Sequence, residues 1–343
     1  MRIESEFNFV GKAGSDIASN IISGNGFHGV FITTATAKYN KIYNNFIGTN
    51  ASGANLGNLS DGVFISQADS NNIGDGTAAG GNRIAFNNFR AVVVSSGTQN
   101  EIRANSIYSN GAIGIDLGDD GLTTNDAIDA DAGANNLQNF PVIHQASPAQ
   151  ISGTIKTQSL MLVKFDVFRV DACDVSGYGE GRYYVGSFER ETDLNNTLSF
   201  NIIGFNLAVG QTIVMTATDD FNNTSEFSQC ITVTPQTNVS LSSAAYTANE
   251  AATARTIVVN RTGGTNTAVT VNYATDDGTA IAGQDYTATN GTLSFGIGEV
   301  VKTFDISITN DSTDEADETI NRLEQSDRRS VFDRSKRRRF DNH

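Results

Sequence analysis

The sequence predicts an all-β protein, with a solenoid of short strands first and two β-sandwiches after it. Asn and a β-branched or aromatic residue recur in register through the first 120 residues. Beyond about residue 148, apolar and polar residues alternate as they do in half-buried strands. The chain holds 33 Gly against 3 Pro, no Trp and 18% charged residues, a composition suited to short strands and tight turns.

The repeat comes first. Asn20-Ile21-Ile22-Ser23-Gly24-Asn25 precedes Gly29-Val30-Phe31-Ile32, and 62 positions on Asn82-Arg83-Ile84-Ala85-Phe86-Asn87 precedes Ala91-Val92-Val93-Val94. At an offset of 60, Asn40-Lys41-Ile42-Tyr43 matches Asn100-Glu101-Ile102-Arg103. Such a unit buries its apolar positions only against the coils above and below it. The Asn residues are expected at bends where a left-handed backbone is cheap, with their amides hydrogen-bonded up a ladder. Asn8-Phe9-Val10-Gly11, Gly62-Val63-Phe64-Ile65, Asn72-Ile73-Gly74 and Gly114-Ile115-Asp116-Leu117 mark further coils. All three prolines (Pro141, Pro148, Pro235) lie near joins, where no central ladder needs their missing N–H. The expected segments are 1–147, 148–235 and 236–320, with a basic tail over 321–343.

The combination Asn-x-Ile-Ser-Gly-Asn, Gly-Val-Phe-Ile and Ile47-Gly48-Thr49-Asn50 resembles bacterial right-handed parallel β-helix proteins of the pectate-lyase-like superfamily. The match opens mid-repeat at residue 8, so further coils are expected upstream. Met1–Glu6 carries no signal-peptide core and no apolar run could span a membrane. In 148–235, Val163, Phe165 and Val167 share one strand face, as do Ile213, Met215 and Ala217. Thr218-Asp219-Asp220-Phe221 through Ser225-Glu226-Phe227 closes a segment that looks like the immunoglobulin-like sandwich found after such β-helices. Cys173 and Cys230 are the only cysteines. They could be bridged or separately buried, and the resemblance implies a disulfide.

Segment 236–320 carries Thr256-Ile257-Val258-Val259-Asn260-Arg261, then Asp277-Gly278-Thr279-Ala280-Ile281-Ala282-Gly283-Gln284-Asp285-Tyr286 and Asn310-Asp311-Ser312-Thr313-Asp314-Glu315. These motifs resemble a Calx-β domain, the calcium-binding sandwich of sodium–calcium exchangers and many bacterial surface proteins. The resemblance places Glu250, Asp285, Asn310, Asp311 and Glu315 on ligand positions. Asn310 stands where strong sites carry Asp, which implies one weak calcium site at best. After Ile320 the family continues with a strand, a Gly-rich hairpin and an acidic last strand. Here Arg322-Leu323-Glu324-Gln325 leads instead to Lys336-Arg337-Arg338-Arg339. The resemblance thus implies an incomplete last sandwich, and a reading-frame slip or a gene broken at this point is the expected cause of that change.

The formal net charge is −15. Residues 321–343 hold eight Lys/Arg and four Asp/Glu, leaving residues 1–320 at −19. An acidic body argues against nucleic acid, whose phosphates need cationic contacts. Asp116, Asp119, Asp120, Asn125, Asp126, Asp129 and Asp131 cluster at the end of the solenoid. Asp129-x-Asp131-x-Gly133 starts a calcium-loop spacing without the bidentate Glu of an EF-hand, so a solvated turn is expected. His28, His144 and His343 are the only histidines, and no Ser/His/Asp, zinc or phosphate-loop pattern is present. Lys38, Lys41, Arg83, Arg90 and Arg103 read as surface charges.

The expectation is a monomeric, non-catalytic, secreted or cell-surface adhesion protein that engages a glycan or a surface protein, with calcium tying down sandwich loops. The alternative is a polysaccharide lyase or hydrolase, which needs a carboxylate pair beside a Lys or Arg on one face of the solenoid.

Overall fold

A computed structural model describes residues 1–12, 19–265, 268–311 and 316–326 (backbone alone over 322–326). Within it the chain divides into two compact units, Met1–Thr234 and Pro235–His343.

Three parallel sheets form the first part of unit one. Sheet one takes Arg2–Ile3, Val30–Thr33, Val63–Ser66, Val92–Val94 and Ile115–Leu117. Sheet two takes Phe9–Gly11, Lys41–Tyr43, Asn72–Ile73 and Glu101–Ile102. Sheet three takes Ile21–Ile22, Phe46–Ile47, Arg83–Ala85 and Ser106–Tyr108. The chain visits the three in rotation, so each circuit is one coil. Register explains the repeat: Val30, Val63, Val92 and Ile115 stand in one column, and Ile32, Ile65, Val94 and Leu117 in another. All are buried, together with Ile42, Ile73 and Ile102 from sheet two and Ile47, Ile84 and Ile107 from sheet three. Identical or near-identical side chains therefore stack on each other up the coil axis. The spacing of 60 or 62 in the sequence spans two coils, the coil between them carrying the loop after Asn50.

Amide ladders run beside this core. Asn8, Asn40, Asn71, Asn100 and Asn135 form one; Asn20, Asn45, Asn82 and Asn105 a second; Asn25, Asn58, Asn87 and Asn110 a third. Asn40 donates its backbone N–H and its Nδ2 to Asn71 Oδ1 at 3.1 and 2.9 Å. Asn82 Nδ2 also donates to the Ile42 carbonyl at 2.6 Å. Each buried amide is thus satisfied, which removes the cost of enclosing it. One expectation needs correction. The left-handed backbone belongs mainly to the residue before each ladder Asn, at Phe7, Tyr39, Ser70, Gln99, Ala104 and Ser109, and at Asn44 before Asn45. The bend is made one position early, which aims the next side chain along the ladder. At Gly74 (φ +83°) a Cβ would stand 2.0 Å from the Arg103 carbonyl, so close coil stacking there needs Gly.

Two antiparallel sheets follow. Val142–Ala146, Gln150–Lys156 and Thr197–Ile203 form one, and Leu162–Val170, Tyr183–Glu191, Thr212–Thr218 and Ile231–Thr232 the other. Val163, Phe165, Val167, Ile213, Met215 and Ala217 fill the space between them, as their alternation predicts. Phe168, Val170, Val214 and Phe227 point elsewhere: they pack into the same core as Ile107, Ile115 and Leu117. The sandwich thereby closes the last coil. Ile107 donates its N–H to the Gly181 carbonyl at 2.9 Å, and Ile102 donates its own to Thr224 Oγ1 at 2.9 Å, so last-coil donors are used rather than exposed. Cys173 and Cys230 are disulfide-bonded, with Cα atoms 6.1 Å apart.

Unit two holds two three-stranded antiparallel sheets: Asn238–Leu241, Ala254–Thr262 and Val301–Ser307, and Asn290–Phe295, Val269–Asp277 and Ile320–Ser326. Tyr286, Ile257, Ile306, Ile308 and Ile320 fill one part of its core, and Val239, Val259, Val271, Leu293 and Phe295 another. Ile320–Ser326 corrects the strandless tail expected from residue 321. It pairs antiparallel with Val271–Asp277, because a ladder partner can override the poor strand propensity of Asn, Glu and Gln. Residues 327–343, including His343, lie outside the described residues.

Candidate calcium site and the charged clusters of the coils

The residues placed on calcium-ligand positions sit on three loops of unit two. Glu250 opens a short 3-10 turn, Glu250–Ala252, that ends at left-handed Thr253. The Thr253 carbonyl accepts the Ile308 N–H at 3.0 Å. The Asp285 carbonyl accepts the Thr309 N–H at 2.9 Å, and Asp285 Oδ2 accepts the Ile281 N–H at 2.6 Å. Asn310 and Asp311 follow directly. Backbone bonds therefore tie the Glu250, Asp285 and Asn310–Asp311 segments to one end of the sandwich, while Glu315 lies outside the described residues. Asp277, quoted in the sequence motif without a role, organises the same end. Its Oδ1 accepts the Ala282 N–H at 2.9 Å and the hydroxyl of buried Tyr286 at 2.8 Å. Burial, with Asp277 beside it, pushes the Tyr286 hydroxyl up to about 12.

Residues 234–327 match the family model of the Calx-beta domain. The match takes in the Ile320–Ser326 strand. Among solved structures, the apo-form Calx CBD1 domain is 26% identical over 31% of this chain and 96% of its own, with a TM-score of 0.30. The calcium-binding domain CBD12 of CALX1.1 is 26% identical over 31% of this chain and 45% of that one (TM-score 0.29). The Calx CBD2 domain is 25% identical over 28% and 59% (TM-score 0.26). No curated protein matches the chain. The donors of the Calx-beta loops are the hard oxygens calcium prefers. Among the described residues no group of three His, Cys, Asp or Glu is placed to hold a metal ion.

Unit one carries clusters of another kind. On the outer side of sheet one, His28 Nδ1 lies 3.1 Å from Asp61 Oδ2 and its ring stacks on Phe64 at 4.4 Å. Arg90 reaches Asp116 at 3.0 Å and Asp119 at 2.9 Å, and its backbone N–H binds Asp61 Oδ1 at 3.0 Å. Burial works against the Asp61 charge, but His28 and Arg90 hold it below the usual carboxylate range. Burial prevails at Asp116 and pushes it up despite Arg90. Arg90 is therefore no plain surface charge; it clamps carboxylates from successive coils.

Arg103 is corrected likewise. Its Nη2 and Nε meet Asp166 at 2.6 and 3.2 Å, and the Ala104 N–H reaches the same carboxylate at 3.1 Å. Asp166, on the sandwich strand Leu162–Val170, is 1% exposed. Burial pushes it up while Arg103 offsets that. Asp129 departs from the expected solvated turn as well. It is buried and accepts from Gln138 Nε2, Thr157 Oγ1 and the Asn139 N–H, and burial raises it to about 6. Glu180 and Glu226 were invisible as site residues. Glu180 Oε1 accepts both donors of Asn110 and so ends the third ladder, and burial raises it to about 7. Glu226 accepts the Leu117 and Thr123 N–H groups, and burial raises it to about 8. These contacts join residues 70 to 109 apart in the chain, so no local pattern signals them.

Proposed function

We propose that the chain is a non-catalytic scaffold of the cell surface or extracellular space, in which a right-handed parallel β-helix and an immunoglobulin-like sandwich form one rigid spacer and a Calx-beta domain binds calcium. Parallel strands joined by crossovers are almost always right-handed, which supports that hand for the coils. The observation that carries the calcium reading is the backbone tie holding Glu250, Asp285 and Asn310–Asp311 at one sandwich end. Those residues, with Glu315, would hold the ion, and calcium would supply the charge that draws their oxygens together. Asn310 in place of a carboxylate and the gathering required keep the affinity weak. Adhesion to a glycan or a surface protein follows from a stiff array of this type.

The competing reading is a polysaccharide lyase or hydrolase, favoured by the carboxylates beside Arg90. The bonding of that cluster supports a clamp instead. Asp61 and Asp116 are 3% and 0% exposed. Their oxygens accept Arg90, Ser60 and the Asp120 and Gly121 N–H groups, so neither is free to protonate a glycosidic oxygen. Calcium titration calorimetry tests the first reading: heat with calcium that D285N removes is expected, and its absence counts against it. Incubation with polygalacturonate and alginate, followed by absorbance of unsaturated products and by reducing ends, tests the second. Product formation lost in R90Q would overturn the non-catalytic reading.

A further inference from the structure

The sequence holds nine Asn-x-Ser/Thr tripeptides, the acceptor form for oligosaccharide transfer to an Asn amide. Two of them, at Asn195 and Asn222, carry a carboxylate two residues earlier, Asp193 and Asp220. That is the extended acceptor which bacterial oligosaccharyltransferases demand. The fold treats the two oppositely. At Asn222 the groups a transferase must read are already spent between coil and sandwich. Thr224 is 0% exposed, and its hydroxyl oxygen accepts the Ile102 N–H at 2.9 Å and bonds Thr218 Oγ1 at 3.0 Å. Asn223 Oδ1 accepts the Gln99 N–H at 2.6 Å. Reading that acceptor requires the sandwich to leave the last coil.

Asn195 stands instead on a loop tip, between the strands Tyr183–Glu191 and Thr197–Ile203. Thr192 Oγ1 donates to the Gln158 carbonyl at 2.7 Å, and the Asn196 carbonyl accepts the Thr157 N–H at 3.1 Å, which fixes the stem. Leu194 is 77% exposed, and Asp193 and Asn195 are exposed on either side of it. Asp193 Oδ1 accepts the Asn195 and Thr197 N–H groups at 2.8 and 3.2 Å, and Asn196 takes a φ of +56°. The turn so built brings the Thr197 hydroxyl to the Asn195 carbonyl at 3.3 Å. Carboxylate, amide and hydroxyl of one acceptor thus stand together at the surface. Among the other tripeptides, Asn58 is a buried ladder member, and Asn238, Asn260 and Asn290 belong to strands.

We propose that Asn195 is a site of N-linked glycosylation, modified on the folded chain from a lipid-pyrophosphate-linked oligosaccharide. Asn195 Nδ2 forms a bond to the anomeric carbon of the first sugar and releases one proton to solvent. The bond from that carbon to the pyrophosphate oxygen breaks, and the lipid pyrophosphate leaves with the electron pair. The folded, oxidised chain is incubated with a purified bacterial oligosaccharyltransferase and its lipid-linked oligosaccharide, then read by intact mass and glycopeptide mapping. One glycan is expected, on Asn195, absent from N195Q and D193A and retained in T197S. These positions lie on the loop rather than in the core, so each variant is expected to keep the unit-one melt of the parent chain. An unmodified chain, a glycan retained in N195Q, or a glycan on Asn222 of the folded chain would overturn the proposal.

Discussion

Removing Asp166 is expected to unfasten the sandwich from the last coil. The carboxylate is 1% exposed and takes two bonds from Arg103 and one from the Ala104 N–H. D166A leaves the Arg103 guanidinium, 12% exposed, without its counter-charge. Breaking a buried pair by deleting one partner costs about 3–5 kcal/mol. The orphaned Ala104 N–H adds roughly 1 kcal/mol. For a unit of this size each kcal/mol moves the melting temperature by roughly 2–4 °C, so a fall of about 10 °C is expected. Scanning calorimetry of the oxidised chain reads it, with unit two as an internal reference. The double variant R103M/D166L, which replaces the pair with apolar groups, is expected to recover most of the loss. A shift below about 2 °C in D166A would refute the idea that this pair fastens coil to sandwich.

Other perturbations read the ladders, the carboxylates and the disulfide. Asn82→Ala removes an amide that bonds Asn105, Ile42 and Asn45, and should cost about 2–3 kcal/mol in a thermal melt, whereas Asn55→Ala, on an exposed loop, should be near neutral. Glu180 and Glu226 are raised in the folded state to about 7 and about 8, so the native state holds protons that the unfolded state releases. Their contribution is therefore fully present below the ordinary Glu range and is lost as pH rises through about 7 to 8; unit one should melt lower at pH 9 than at pH 6. E180Q keeps the acceptor for Asn110 but cannot ionise, and should shrink that pH dependence. Reduction of Cys173–Cys230, 57 residues apart, should destabilise unit one by about 4 kcal/mol by the loop-entropy relation, seen as an earlier urea midpoint.

The parts legible in the sequence are those in which one position meets its own copy. Val30 contacts Val63 and Asn40 contacts Asn71, so both fold and bonding pattern print themselves as a repeat. Alternation did the same for Val163, Phe165 and Val167. The junction left no such trace. Phe168 and Phe227 look like ordinary sandwich residues until they are seen against Ile107, and Arg103 looks like a coil-surface charge until Asp166 arrives 63 positions later. Contacts between unlike elements have no period to detect. The candidate site is intermediate: motifs locate Glu250, Asp285 and Asn310–Asp311, but the Thr253–Ile308 and Asp285–Thr309 bonds that bring their loops together are backbone bonds, blind to residue type. The strand Ile320–Ser326 escaped notice for the same reason.

A calcium-dependent melt tests the central claim most directly. The chain is heated in chelator, then with calcium, then with magnesium, and the unit-two transition is followed. A ligand that binds only the folded state at a hundredfold excess over Kd adds about 2.7 kcal/mol, which for a domain of this size is roughly 10 °C or more. The account predicts such a rise with calcium, little with magnesium, and none in D285N. A unit-two transition indifferent to calcium, or a rise that D285N retains, would contradict it.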